Sequence, residues 1–178
     1  MPGSTLTYPS ASSASCSLKS SVLDALALRE AGCGAREIQQ ELEASAYDSI
    51  AYAGVETMEH LRRGGRIGRI TALAGTMLSI KPVLHVDDTG HLVPVRKTRG
   101  RKASLLALVD RMAESAVDPA GQTIFISHGD CEADAEFVAD EVRRRFGVQD
   151  IYINYVGPVI GNHSGPGTLA LFFLGSRR

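Results

Sequence analysis

Between Gly157 and Gly167 the chain reads Gly-Pro-Val-Ile-Gly-Asn-His-Ser-Gly-Pro-Gly, eleven residues with four glycines, two prolines and a single histidine. Alternating apolar residues precede it (Ile151, Ile153, Tyr155), and the apolar run Thr168 to Leu174 follows. Two strands are therefore expected to hold a segment of unusual backbone between them. Glycine permits positive φ and a close approach by a ligand, while proline fixes the chain path. An ordinary hairpin needs only about two to five residues, so this length exceeds what a turn requires. His163 is the one titratable side chain in it. Such a loop suits the presentation of backbone amides and one polar group to something small and polar; a turn punctuated by Gly and Pro is the plainer reading.

The pattern on either side defines the fold class. Leu18, Val22, Ala25 and Leu26 fall on one helical face from Ser17 to Ala31, and Gly32 ends that helix. Ile38, Leu42 and Ala46 predict a second helix, Ser49 to Val55 a strand, and Glu56 to Arg63 a short helix closed by Gly64. Thr71 to Leu78 reads as a further helix. Ile80 to Val86 and His91 to Arg96 alternate around Asp87-Asp88-Thr89-Gly90, which predicts a β-hairpin. Leu105, Val109, Met112 and Ala116 make a helical stripe, and Thr123 to Ser127 a buried strand. A helix carrying Ala133, Phe137, Val138, Val142 and Phe146 follows, with Asp130 expected as its N-cap. Strands alternating with helices predict an α/β protein, and the hairpin makes its sheet mixed. Residues 1–13, rich in Ser, Thr and Pro, are expected to be disordered.

Charge is uneven. From His60 to Lys102 ten Lys or Arg stand against two acids, a balance of +8 in a chain whose net charge is −1. That asymmetry points to an anionic ligand or partner. Arg62 and Arg63 fit the last turn of a helix, where cations complement the dipole. Arg66 and Arg69 lie beyond the glycines, just before the next expected helix, where an arginine and a helix N-terminus make an anion site. The run Arg96 to Lys102 reads as a solvated basic face or a docking surface. No aromatic lies between residues 53 and 124, which argues against stacking on single-stranded nucleic acid.

Other chemistry is poorly supported. Cys16, Cys33 and Cys131 are far apart and no histidine stands at metal spacing from them, so neither a zinc site nor a disulfide framework is expected. A reducing, cytoplasmic compartment fits. No apolar stretch reaches the ~18 residues of a membrane span. Ser127-His128-Gly129-Asp130 holds the residue types of a hydrolytic triad, but neighbours in sequence cannot converge as a triad must; a strand-to-helix turn is expected there. No phosphate-binding loop or dinucleotide fingerprint occurs.

Taken together, Thr57-Met58-Glu59-His60-Leu61-Arg62-Arg63-Gly64-Gly65-Arg66-Ile67, Leu78-Ser79-Ile80-Lys81-Pro82-Val83-Leu84, Leu92 to Lys102 and Gly157 to Gly175 resemble, in order and spacing, the DegV family of bacterial fatty-acid-binding proteins. The resemblance implies non-catalytic binding of a long-chain fatty acid, such as palmitate or oleate, in a tunnel between two domains, for lipid transport or fatty acid metabolism. It implies presentation of the acid to a fatty acid kinase, with no cofactor, no metal and no nucleic acid. Arg66 matches the family arginine of Gly-Gly-Arg-Ile and His163 the family histidine of Gly-x-His-x-Gly-Pro-Gly, both at the carboxylate. Arg69, Arg99, Arg101 and Lys102 resemble the basic surface facing the kinase. The resemblance also implies a domain division: 14–54 as a helical remnant of the N-terminal lipid-binding domain and 55–178 as the C-terminal domain. The chain is expected to begin after the family's N-terminal region, which supplies hydroxyl residues to the carboxylate. Alternatives are a non-binding remnant, an enzyme acting on a small anion with His163 as acid/base, and a nucleic-acid regulator using residues 60–102.

Overall fold

The structure, a computed structural model, describes residues 15–45, 48–66, 80–87 and 89–176. The elements in chain order are α1 (Ser15–Glu30), α2 (Ala35–Ser45), β1 (Ser49–Gly54), α3 (Glu59–Arg63), β2 (Ile80–Val86), β3 (Leu92–Arg99), α4 (Arg101–Ser115), β4 (Ile124–His128), α5 (Glu132–Phe146), β5 (Ile151–Tyr155), α6 (Pro158–Ser164) and β6 (Leu169–Leu174). The strands form one sheet in the order β3-β2-β1-β6-β4-β5. Only β4 and β5 pair in parallel, joined by α5 as a crossover; the other pairings are antiparallel. The protein is thus the mixed α/β fold that the pattern predicted.

Residue alternation assigns the two faces of the sheet. Ile50 and Tyr52 of β1, Ile124 and Ile126 of β4, and Leu169, Leu171 and Phe173 of β6 turn to one face. There they pack with Leu105, Leu108 and Met112 of α4 and with Val138 and Val142 of α5 in the main core. The opposite face carries Phe125, Ala170 and Phe172 with Ala51 and Ala53 beside them. Over one end of this second face, Leu84 packs with Val55, Met58 and Leu61, which seats α3 there. At the other end α1 crosses β4.

Local chemistry accounts for the element ends. Asp87 Oδ1 accepts from the Thr89 and His91 amides, and Gly90 takes φ +79°, so the β2–β3 turn closes on its own side chains. α5 begins with Glu132 and Asp134 and ends with Arg143, Arg144 and Arg145, each complementing the helix dipole, before a left-handed Gly147.

Several expectations are corrected. The N-cap of α5 is Cys131, not Asp130; Asp130 sits at φ +54° in the preceding turn, and the Cys131 amide donates to His128 Nδ1 instead. The Gly/Pro segment contains α6, started by Pro158 at a first-turn position where its missing N–H costs nothing. β5 and β6 flank that segment as expected, and β4 lies between them in the sheet. Val22 and Leu26 of α1 remain 42% and 37% exposed, while Ala25 and Leu28 are the better covered. The helix expected over 71–78, the disorder expected over 1–13, Ala46 and Arg69 lie outside the described residues.

Candidate functional site

α3 and α6 pack together at the Gly54 end of β1. Their sequences allow it through a reciprocal exchange of histidine and glycine. A methyl group at Gly64 would overlap His163 Nδ1, and one at Gly165 would overlap the His60 ring. Each helix therefore receives the other's imidazole on a bare Cα. Gly165 and Gly167 take φ +78° and +74°, which only glycine adopts without strain. The Gly167 amide donates to Gly129 O and the Gly129 amide to Thr168 O, tying the segment after α6 to the end of β4.

His163 thus stands half-buried against α3, its Nδ1 buried and without a hydrogen-bond partner among the described residues. Arg66 is exposed and donates from Nη1 to Gly64 O at 3.1 Å. The two sequence-expected carboxylate ligands so border the same glycine. Among the described residues Arg66 has no carboxylate partner. Arg62 and Arg63 are different: both bind Glu59, at 2.8–2.9 Å. Hydrogen bonds from Arg62 and then Arg63 hold the Glu59 carboxyl down at about 2. Their charge is already answered locally, whereas Arg66 is the cation left to meet an anion among the described residues of this loop.

The expected basic surface is more mixed. Arg99 and Lys102 are exposed, with Lys102 Nζ 5.5 Å above the Phe137 ring. Arg101 is 20% exposed and donates to Asp134 at 2.8 Å, with Glu56 4.0 Å away. Glu56 also pairs with Lys81 and lies against Gly167. Arg101 therefore belongs to a chain of charges, Lys81–Glu56–Arg101–Asp134, linking the hairpin to the α5 N-terminus and the Gly/Pro segment. Sequence reasoning missed this chain, since its members are distant in sequence. It also gave His60 no role, although His60 stands in the same motif as Arg66.

Among the described residues Ser127, His128 and Cys131 do not form a nucleophilic constellation. Ser127 and His128 are both buried and, as adjacent strand residues, point to opposite faces. Burial pushes the Cys131 thiol up, which favours its protonated form. No group of His, Cys, Asp and Glu among the described residues is arranged to hold a metal ion. No described helix is long and apolar enough to cross a membrane.

At the Ser49 end of β1 a cavity of about 250 Å³ opens between α1 and the sheet, lined by Leu23, Phe125, Phe172, Gln122 and Leu174 among others. Between this cavity and the α3–α6 pole the second sheet face presents the small side chains Ala51, Ala53 and Ala170.

A family model described as "Uncharacterised protein, DegV family" matches residues 2–176. The chain belongs to the DegV family. A DegV domain-containing protein of Clostridium perfringens is 44% identical over 151 residues, 85% of this chain and 52% of that protein. Among solved structures, a fatty-acid-binding DegV family protein from Thermus thermophilus aligns with TM-score 0.78 at 28% identity, covering 90% of this chain and 57% of that one. DegV, a fatty acid binding protein from Bacillus subtilis, aligns with TM-score 0.73 at 29% identity, again over 90% and 57%. The chain spans about half the length of the curated relatives it matches.

Proposed function

We propose that this DegV-family chain binds a long-chain fatty acid without transforming it, with Arg66 and His163 at the carboxylate and the second sheet face under the alkyl chain. The observation that carries the reading is the shared seat of Arg66 and His163 on Gly64, one cation without a carboxylate partner and one imidazole nitrogen without a hydrogen bond among the described residues. An arginine meets a carboxylate with parallel charge-assisted hydrogen bonds, and an imidazole N–H adds another. The fatty-acid-binding relatives from Thermus thermophilus and Bacillus subtilis support the same ligand class.

The tail supplies affinity and the polar pole orientation. Each methylene buried contributes about 0.8 kcal/mol, so a palmitoyl chain gives roughly 10 kcal/mol before ordering costs. Arg99 and Lys102 form the exposed part of a basic surface on which a fatty acid kinase would dock, and a cytoplasmic setting suits both partners. Palmitate and oleate are the acids to try first. Replacing Arg66 or His163 by alanine is expected to weaken oleate binding about tenfold or more, the worth of a charge-assisted hydrogen bond. Titration of a fluorescent fatty acid against each folded variant measures this; unchanged affinity in both would refute the assignment of the carboxylate site.

A further inference from the structure

We infer that β5 is a docking edge for a second copy of this chain, pairing antiparallel with its counterpart about a two-fold axis at Ile153, so that two six-stranded sheets become one. The pairing uses none of the groups assigned to the fatty acid and does not depend on it.

The two borders of the sheet differ. Among the described residues it ends at β3 on one side and at β5 on the other. β3 is guarded: it carries Pro94, Arg96, Lys97 and Arg99, and its register with β2 shifts between Val83 and Leu84. Proline, charge and irregularity are the devices that keep an edge strand from pairing with another chain. β5 has none of them. Its residues, Ile-Tyr-Ile-Asn-Tyr, are uncharged and run in unbroken register beside β4. The Val156 amide donates to His128 O, and Asp150 O accepts from the Ile124 amide. By alternation the backbone groups of Tyr152 and Asn154 also face β4, and those of Ile151, Ile153 and Tyr155 face away from it. The Tyr155 amide is held by Asn154 Oδ1 at 2.8 Å. Exposed apolar surface gathers here as well: Tyr152 is 48% exposed, Tyr155 63%, and Val159, just beyond, 71%. β4 steadies both rings, with centroids 5.6 Å apart for Tyr152 on Phe125 and 4.5 Å for Tyr155 on His128. Rings already held in place lose little freedom when a partner covers them.

A second copy fits this edge because the strand is complementary to itself. Antiparallel about Ile153, the two Ile153 residues form a hydrogen-bonded pair and exchange both N–H···O bonds. Ile151 lies opposite the partner's Tyr155, an apolar–aromatic cross-strand pair that the symmetry makes twice. Tyr152 lies opposite the partner's Asn154 on the other face. Charge agrees beside the strands. α5 packs over β4 and β5, so the two-fold sets the two α5 helices antiparallel. Each begins with Glu132 and Asp134, carries the exposed Glu136, and ends with Arg143, Arg144 and Arg145. The acidic half of one therefore faces the basic end of the other, and opposite charges meet across the axis. An extended peptide would find the same backbone groups without this match of helix charge. One strand and one helix from each copy make a small interface, so the dimer is a reversible one.

Sedimentation velocity of the full chain, from about 1 μM to about 1 mM, spans the Kd range of a small interface. The unmodified chain is expected to pass from one copy of 19.0 kDa to two as its concentration rises. Ile153→Pro removes the central N–H that faces away from β4, a loss an edge strand tolerates, and is expected to stay at one copy throughout. Tyr155→Lys sets a charge opposite the partner's Ile151 and is expected to raise the dimer Kd about tenfold or more. Asn154→Ala releases the Tyr155 amide in both copies and is expected to lower that Kd about threefold or more. A chain that stays single at every concentration overturns the inference and leaves the edge to an extended segment of another protein. A dimer that survives in Ile153→Pro and Tyr155→Lys chains shown by circular dichroism to be folded also overturns it, because it must use another surface. If Ile153→Pro does not fold, Tyr155→Lys decides. An Asn154→Ala dimer of unchanged Kd overturns the register about Ile153.

Discussion

At the scale of single residues, the exchange of His60 and His163 for the bare Cα atoms of Gly165 and Gly64 separates two uses of glycine. Gly165 must be glycine for its φ of +78° as well as for the ring against it, so any substitution there mixes strain with overlap. Gly64 has φ −78°, which every residue adopts. Its lack of a side chain serves only to admit His163. Gly64→Ala is accordingly expected to destabilise by about 1–3 kcal/mol through overpacking and to swing the His163 ring away from Arg66. Adding His163→Ala removes the overlap, so the double variant should regain most of the lost stability. Denaturant unfolding of the two single variants and the double variant measures this coupling; strictly additive losses would show that Gly64 does not seat the imidazole. The glycine pair Gly64-Gly65 was visible in the sequence as the close of a helix. That its first member serves a residue about a hundred positions away was not, because no local pattern records a tertiary contact.

At the scale of elements, charge ties the second half of the chain together. Asp110 of α4 accepts from Arg96 of β3 at 3.0 Å and from Arg145 of α5 at 2.7 Å, so one carboxylate joins two helices and an edge strand. Arg145 first, then Arg96, hold its carboxyl below the ordinary aspartate value. A carboxylate with a depressed pKa adds stability above its unfolded pKa and loses it as acid protonates the folded form. Asp110→Asn is therefore expected to cost about 1 kcal/mol or less at neutral pH, since the groups are partly exposed and screened. That difference should vanish as the pH falls below the ordinary carboxylate range. Denaturant midpoints of the two proteins across the acid range check the sign; a gap that stays constant with pH would place the cause in packing. Most elements of this half were legible, because the stripes of α4 and α5 and the alternation of β2 and β3 are strong periodic patterns. α6 was not, since Gly161 and Asn162 are weak helix formers and the surrounding Gly and Pro suggest a loop. Pro158 at the first turn was its one available sign.

At the scale of the whole molecule, the sheet has two unequal faces. One is closed by α4 and α5 over a continuous aliphatic core. The other carries small side chains between α3 at one end and α1 at the other. The fold class follows from the order of strands and helices. The placement of β6 between β1 and β4 does not, and that placement lines up Ala53, Ala170 and Ser127 across the second face. Arg66 and His163 were named from motifs alone, whereas the floor beneath a ligand depended on topology. If that floor and the α3–α6 pole act together, a fatty acid binds the folded chain and not the unfolded one, and must raise its melting temperature. Free ligand at about a hundredfold its Kd adds about 2.7 kcal/mol. In a chain of 178 residues each kcal/mol moves the midpoint by about 2–4 °C, so a rise of roughly 5–10 °C is expected with oleate. Two comparisons give the rise its meaning. Acetate carries the carboxylate without the tail and should produce no shift, because a single exposed ion pair contributes little. The Arg66→Ala, His163→Ala double variant should show a much smaller rise at the same oleate concentration. An equal rise in the double variant would mean that the tail alone holds the acid and that the α3–α6 pole has another task.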